Sequence, residues 1–236
     1  MPRYEGVHAH PDGDSTVARM AATAAEYEFD GVVVRNHSDA RADYDAERVA
    51  DEYGVDVVEA IELRAENPEV AAGHVGNYRP KVTILAVHGG TNALNRFAVE
   101  HERVDVLAHP MAGRGDFNHV LAKAAAENGV RVEFDLSRVL RADGGPRVQA
   151  IQDLRKLREI VTHYDAPFVV SARPTSHLQL RAPRELVAVG ETIGFSADQI
   201  RSGLRGWADL AERNRERLSD EFIGPGVKRG RYEKEP

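Results

Sequence analysis

Six residues of this 236-residue chain combine side-chain type and position in a way that suits divalent-metal chemistry. His8 and His10 bracket the end of a first apolar run, His37 follows a second, Glu62 sits near the end of a third, His88 ends a fourth, and His109, followed by Pro110, closes a fifth. Imidazoles beside carboxylates can hold a transition metal that activates water for hydrolysis. In an extended segment a His-x-His pair points both rings to one side, because side chains alternate along a strand. With no cysteine in the sequence, disulfides, thiolate nucleophiles, zinc–thiolate sites and iron–sulfur clusters are excluded, so any metal must sit on His, Asp or Glu. Taken singly, each histidine reads more plainly as a hydrogen-bonded neutral ring at a strand end. The case for a site rests on convergence.

Convergence depends on the elements that carry these residues. Tyr4–His8, Gly31–Arg35, Val55–Leu63, Lys81–His88, Val104–His109, Gly129–Leu136 and Pro167–Ser171 are continuous and rich in Val, Ile, Leu and Phe, as strands buried on both faces should be. Helices are expected between and after them at Thr16–Tyr27, Asp45–Tyr53, Thr91–Glu100, Asp116–Glu127, Pro146–Tyr164, Pro183–Val189 and Ser196 to about Leu218. Asp14 and Ser15 are candidate N-caps for the first, Gly54 ends the second, and Ser196 with Gln199 forms a capping-box pattern. Seven strand–helix alternations predict an α/β protein with a parallel sheet. No Gly-rich dinucleotide fingerprint follows the first strand, so a closed (β/α) barrel is favoured over an open doubly wound sheet. In such a barrel all six residues reach the C-terminal rim, where active sites of these folds form.

The composition sets outer limits. With 42% hydrophobic and 29% charged residues, the chain can enclose a core and is not a disordered tail. One domain is expected over residues 1–223, followed by a basic flexible tail over 224–236 that lacks apolar periodicity. No run approaches the ~18 uncharged apolar residues of a membrane span, and Met1-Pro2-Arg3-Tyr4-Glu5 is no signal peptide; a cytoplasmic protein without membrane contact is the expectation. The net charge of −7 argues against a phosphate-rich partner, but its distribution does not. Residues 1–100 carry 18 acidic and 9 basic side chains, whereas residues 101–236 carry 20 and 22. Among the basic residues 26 are Arg and five Lys. Abundant Asp and Glu with few lysines fit adaptation to high internal salt, where screening lengths shrink and net charge says little about partners.

The histidine and glutamate placement resembles the PHP (polymerase and histidinol phosphatase) superfamily. Its pattern asks for a His-x-His, a later His, a Glu, a His-Pro and a final Ser-Asp-x-His. Here His8-Ala9-His10, His37, Glu62 and His109-Pro110 match, but the last motif reads Ser171-Ala172-Arg173 and onward to His177. Ala172 replaces a ligand Asp, and the fixed charge of Arg173 opposes cation binding. The resemblance therefore implies a site that is decommissioned or turned toward anions, with no metal held and His8, His10, His37, Glu62 and His109 as vestigial ligands. Further segments narrow the resemblance to the ribonuclease P protein component 3 family of archaea: Tyr4 to His10, Gly31 to His37, Asp105 to Pro110, Val132 to Ser137, Leu180 to Leu186 and Gly224 to Val227.

That family resemblance implies a PHP-like, TIM-barrel-like scaffold that binds the ribonuclease P RNA and pairs with protein component 2, among other protein components. The RNA cleaves 5′ leaders from precursor tRNA with its own magnesium ions. The chain itself needs no cofactor and supplies no catalytic residue. Arg173, Arg181, Arg184, Lys228, Arg229 and Arg231 are the candidate RNA contacts, since guanidinium groups hold phosphates bidentately and stack on bases. An ordinary surface Arg paired with a nearby carboxylate is the competing reading of each. Trp207, the only tryptophan, is expected to anchor the last helix. A second function stays open: a stand-alone PHP-type metal-dependent phosphoesterase using the surviving His8, His10, His37, Glu62 and His109.

Overall fold

The seven expected strands all form, and they lie in sequence order in one parallel sheet. The computed structural model describes residues 1–219 and the backbone of 222–224 and 227–228. The strands are β1 (Tyr4–Val7), β2 (Gly31–Val34), β3 (Asp56–Leu63), β4 (Ile84–His88), β5 (Val106–Ala108), β6 (Arg131–Asp135) and β7 (Phe168–Ser171). Each pairs with its successor, for example Gly6 with Val33, Ile61 with Leu85 and Phe134 with Val170. No ladder joins β7 to β1 among the described residues. Instead the buried Glu5 carboxylate spans that seam: Ser171 Oγ donates to it at 2.5 Å and the Ala172 amide at 3.1 Å. His8 N also donates to Pro174 O at 3.0 Å. The barrel is nearly closed, with a side chain acting as the clasp.

Around it stand α1 (Val17–Glu26), α2 (Ala46–Tyr53), α3 (Pro68–Tyr78), α4 (Asn92–Glu100), α5 (His119–Asn128), α6 (Ser137–Arg141), α7 (Gly144–His163), α8 (Pro183–Ile193) and α9 (Ala197–Leu218). Local chemistry sets their ends. Asp45 Oδ1 accepts from Arg48 N, and α2 stops where Gly54 turns left-handed at φ 67°. Ser196 and Gln199 form the reciprocal capping box at α9. Thr16, rather than Asp14 or Ser15, caps α1. Ser15 is engaged elsewhere, with its hydroxyl 2.9 Å from His177 Nδ1. Two helices lack a periodicity signal. α3 carries Gly73 and Gly76 and little amphipathicity, although Asn67 and Pro68 are a cap and a first-turn proline. α6 is a five-residue turn of helix on the rim.

α9 closes the N-terminal mouth of the barrel. Trp207, Leu210 and Ala211 pack with Val33, Val58, Ile84, Val106 and Val169, the inward residues of that end. Trp207 is fully buried, and its Nε1 donates to Val170 O at 3.0 Å, as expected of a packing anchor. Gly203 lets the helix lie close to β7, since a Cβ there would meet Val170 Cγ2 at 2.5 Å. The outer core lies between sheet and helices and includes Met20, Leu85, Phe134, Leu157 and Leu186. The expected division at residue 223 or 224 falls across a short antiparallel pair, β8 (Phe222–Gly224) and β9 (Val227–Lys228). The rest of the basic tail, residues 225–226 and 229–236, lies outside the described residues. Among the described residues no helix is long and apolar enough to cross a membrane.

Candidate functional site

Above the Trp207 plug the barrel axis is ionic. Arg35, projecting from the end of β2, is fully buried and holds two buried carboxylates. Its Nη2 donates to Glu62 Oε2 at 2.6 Å and Glu133 Oε2 at 3.0 Å, and its Nη1 pairs with Glu133 Oε1. The guanidinium carbon lies 5.3 Å from the Trp207 ring centroid. Gly6 makes room for it, because a Cβ at that position would sit 3.0 Å from Arg35 Cδ. One strand glycine, one Arg and two Glu thus build the centre. Burial opposes the charge on Glu62, but Arg35 and then His109 outweigh it and hold the carboxyl well below its usual range.

The next layer is histidine. The chain after β2 pairs once more with β3 through a bridge between His37 and Glu62, which sets the His37 ring beside that carboxylate. His88 Nδ1 lies 2.5 Å from Glu62 Oε1. His109 Nε2 and His37 Nε2 lie 3.2 and 3.3 Å from the same oxygen, and His8 Nε2 lies 3.5 Å from Oε2. The Nε2 atoms of His8, His37 and His109 are buried without an aligned hydrogen bond. Behind them, Asp12 Oδ2 stands 2.7 Å from both His8 Nδ1 and His37 Nδ1 and accepts from His37 N at 2.9 Å. Burial works against the Asp12 charge, yet these donors hold its carboxyl well below the usual range. An ionised carboxylate only accepts, so both rings carry the proton on Nδ1 and turn Nε2 inward.

On the β5–β6 side the electrostatics reverse. His109 adopts a left-handed backbone, φ 53°, and its Nδ1 lies 3.2 Å from Asp135 Oδ2. Burial disfavours its charged ring, but Glu62 and Asp135 raise its pKa to about 10, so it is an imidazolium at neutral pH. Asp135 is also 3.2 Å from Arg173 Nε and accepts from Ser137 N at 2.7 Å. Although burial raises it, His109 and Arg173 hold its carboxyl far below normal.

A metal centre of the hydrolytic, several-ion kind does not fit these residues. Donor groups do survive: one ligand atom each from His8, Asp12 and His37, and from His37, Glu62 and His88, lie within 4.8 Å of one another, enough for one ion. The other side of the pocket is spent on cations already present. Arg35 occupies Glu62 and Glu133, Arg173 and His109 occupy Asp135, and Ala172 offers no ligand atom. A several-ion hydrolytic centre would need carboxylates free to bridge its ions, and Glu62, Glu133 and Asp135 are each already paired with an arginine.

Of the residues expected at the site, His8, His37, Glu62 and His109 are brought together, and His88 joins them. His10 is not. It is exposed, because β1 ends at Val7 and the chain turns at once, with the amides of Asp12 and Gly13 both donating to Ala9 O; the alternation that aligns a His-x-His pair stops before it reaches residue 10. Sequence reasoning missed Asp12, Arg35, Glu133 and Asp135. Gly6 within a strand was the one available sign of Arg35. Arg173 and Arg181 both lie on the loop after β7, whereas Arg184 lines a separate cleft with Glu26, Glu28 and Glu185. The side chain of Lys228, and Arg229 and Arg231 altogether, lie outside the described residues.

Comparison with known proteins fits this architecture. The chain is 64% identical over 225 residues to "Ribonuclease P protein component 3" of Haloarcula marismortui, covering 95% of this chain and 96% of that one. It is 65% identical to the protein of the same name from Natronomonas pharaonis, covering 95% and 94%. Among solved structures, a chain of archaeal ribonuclease P with mature tRNA superposes with TM-score 0.83 at 23% identity, over 99% of this chain and 100% of that one. A histidinol phosphate phosphatase from Lactococcus lactis, complexed with zinc, L-histidinol and phosphate, shares the fold at TM-score 0.54 and 9% identity, over 90% and 93%. The family described as RNase P subunit p30 matches residues 5–219, and with relatives this similar over nearly their whole length, the chain belongs to that family.

Proposed function

We propose that this chain is a protein component of ribonuclease P that supports the catalytic RNA in removing 5′ leaders from precursor tRNA, without cutting RNA itself. The observation that carries the second half is Arg35: its fixed charge sits on Glu62 and Glu133, where a metallohydrolase would need free carboxylates. The first half rests on family membership and on the namesakes in ribonuclease P. In this reading the partners are the ribonuclease P RNA, protein component 2 and the other protein components, with precursor tRNA met through the assembly. The magnesium ions belong to the RNA, and the chain binds no cofactor for the reaction. The work is cytoplasmic, and the carboxylate-rich, lysine-poor composition suits a salt-rich interior.

Reconstitution of the RNA and the other protein components, with and without this chain, tests it. Pre-tRNA cleavage at low magnesium should fall when the chain is left out, and an unchanged rate would sink the proposal. The stand-alone phosphoesterase reading is favoured by the surviving His8–Asp12–His37 donors. RNA-free protein supplied with manganese or zinc should leave a generic phosphodiester intact; turnover that disappears with His8→Ala would establish that reading instead.

A further inference from the structure

We propose that Arg141, Arg173 and Arg181 form a binding site for a backbone phosphate of RNA on the β6–β7 side of the barrel rim. This deepens the ribonuclease P reading and rests on it. Arg141, at the end of α6, donates from Nη1 to Ala172 O at 3.1 Å and from Nη2 to Arg173 O at 3.0 Å. Arg181 donates from Nη1 to Leu180 O at 2.7 Å and Leu178 O at 3.2 Å. Neither has an ion-paired carboxylate among the described residues, whereas half of the described arginines do: Arg3, Arg79, Arg131, Arg201, Arg213 and Arg215, for instance, each face an Asp.

Arg141 senses the other two guanidinium groups. After burial, the charges of Arg173 and Arg181 are what lower Arg141, and Asp135 is the main opposing charge. Glu5 opposes them more weakly, and Asp135 is already shared between Arg173 and His109, so the three arginines outnumber the two carboxylates that face them in a chain whose net charge is −7. Half-buried like charges repel unless an anion joins them. The backbone points the same way. Arg173 is held at φ 45°, a left-handed conformation that costs a non-glycine residue energy, and Arg141 pins the carbonyls on either side of the Arg173 Cα. Carbonyl anchors leave the forks of Arg141 and Arg181 fixed in place with donors to spare, which is how a guanidinium reads a phosphate oxygen pair. Arg138, exposed on α6, extends the patch outward.

The test uses the full chain and its cognate ribonuclease P RNA, with affinity measured across a salt series and folding checked by circular dichroism. Arg173→Ala and Arg181→Ala should each weaken binding about tenfold at low salt and reduce the slope of log K against log salt by roughly 0.7–0.9, one phosphate contact's worth. Arg141→Gln should lose at least as much. Arg201→Ala, which removes a cation already paired with Asp198 on α9, should change neither quantity. If wild type binds RNA and the two alanine variants behave like Arg201→Ala, this site is wrong and the ribonuclease P reading stands. If wild type fails to bind RNA even with the other components present, both fall. Inorganic phosphate, added at constant ionic strength, separates a strand from a small anion: displacement of RNA by sub-millimolar phosphate would mean that the site takes the free ion. Equal binding of polyglutamate would assign it to an acidic protein and overturn the RNA assignment.

Discussion

The two sides of the barrel rim carry opposite chemistry. On the β1–β4 side, His8, His37 and His88 crowd Asp12 and Glu62, an arrangement that presents lone pairs and negative charge to a cation. On the β6–β7 side Asp135 is paired with Arg173, and Arg141 feels Asp135, Glu5, Arg173 and Arg181. A metal-dependent phosphatase needs the first kind of surface all the way round. Here the two halves meet at His109, which touches Glu62 on one side and Asp135 on the other. The contrast teaches that one rim can present ligands suited to a cation on one side and donors suited to an anion on the other. Ala172 offers no ligand atom, Arg173 pairs with Asp135, and Arg35 beneath pairs with Glu62 and Glu133.

Arg35 should show the largest effect, because both halves stand on it. Arg35→Ala strands two buried carboxylates, and breaking such a pair costs about 3–5 kcal/mol, a large part of the ~5–15 kcal/mol available to a domain. Denaturant unfolding should show this as a lower midpoint. Combining Arg35→Met with Glu62→Gln and Glu133→Gln should recover much of the loss, since an apolar or neutral replacement of a buried ion pair is often tolerated. A triple variant no better than Arg35→Ala would show that the guanidinium shapes the axis rather than neutralising it.

The next effect is pH dependence, and it falls on the junction between the halves. The His109 pKa is raised from 6.5 to about 10. Its contribution to stability is therefore complete below about pH 6.5 and is lost as pH climbs toward 10. Glu5 acts in the same direction lower down: burial, against its hydrogen bonds from Ser171 and the Ala172 and Gly6 amides, raises it from 4.5 to about 7, so its contribution drains away between those values. Asp12, Glu62 and Asp135 are depressed; theirs is present above about pH 4 and is lost in acid. Unfolding midpoints should peak in mildly acidic solution, where the depressed carboxyls are ionised and Glu5 is still protonated, and decline through neutrality toward pH 10. His109→Asn should flatten the alkaline limb while leaving the Glu5 limb in place. An alkaline decline of equal size in that variant would remove His109 from the account.

Much of this was legible in the sequence. The seven strands announced themselves as runs of β-branched residues, and their rhythm dictated the barrel. Histidines at strand ends could be placed on one rim because parallel strands share a direction. What the sequence hid is what depends on distance across the axis. Nothing local distinguishes Arg35, locked between Glu62 and Glu133, from any Arg after a Val run, and Asp12 lies in a turn whose course no periodicity predicts. His10 shows the opposite error: the alternation rule holds only while a strand lasts, and β1 ends at Val7. α3 was missed because Gly73 and Gly76 dilute its pattern, although the Asn67–Pro68 cap was visible.

The smallest expected effect bears most directly on the contrast between the halves. Asp135→Asn keeps the shape of the side chain, and its Oδ1 can still accept from Ser137 N, but it removes the one carboxylate shared by His109 and Arg173. The arginine side then gains a full positive unit close to the proposed phosphate. At low salt, RNA binding should tighten by roughly threefold, and the gain should fade at high salt as screening sets in. His109, having lost a partner, should titrate lower, pulling the alkaline limb of stability toward neutrality. Tighter binding together with an earlier alkaline decline would mean that Asp135 balances the two halves. Weaker binding would mean that it orients Arg173 rather than masking it, and the positive side would then depend on a carboxylate for its geometry as much as the histidine side does.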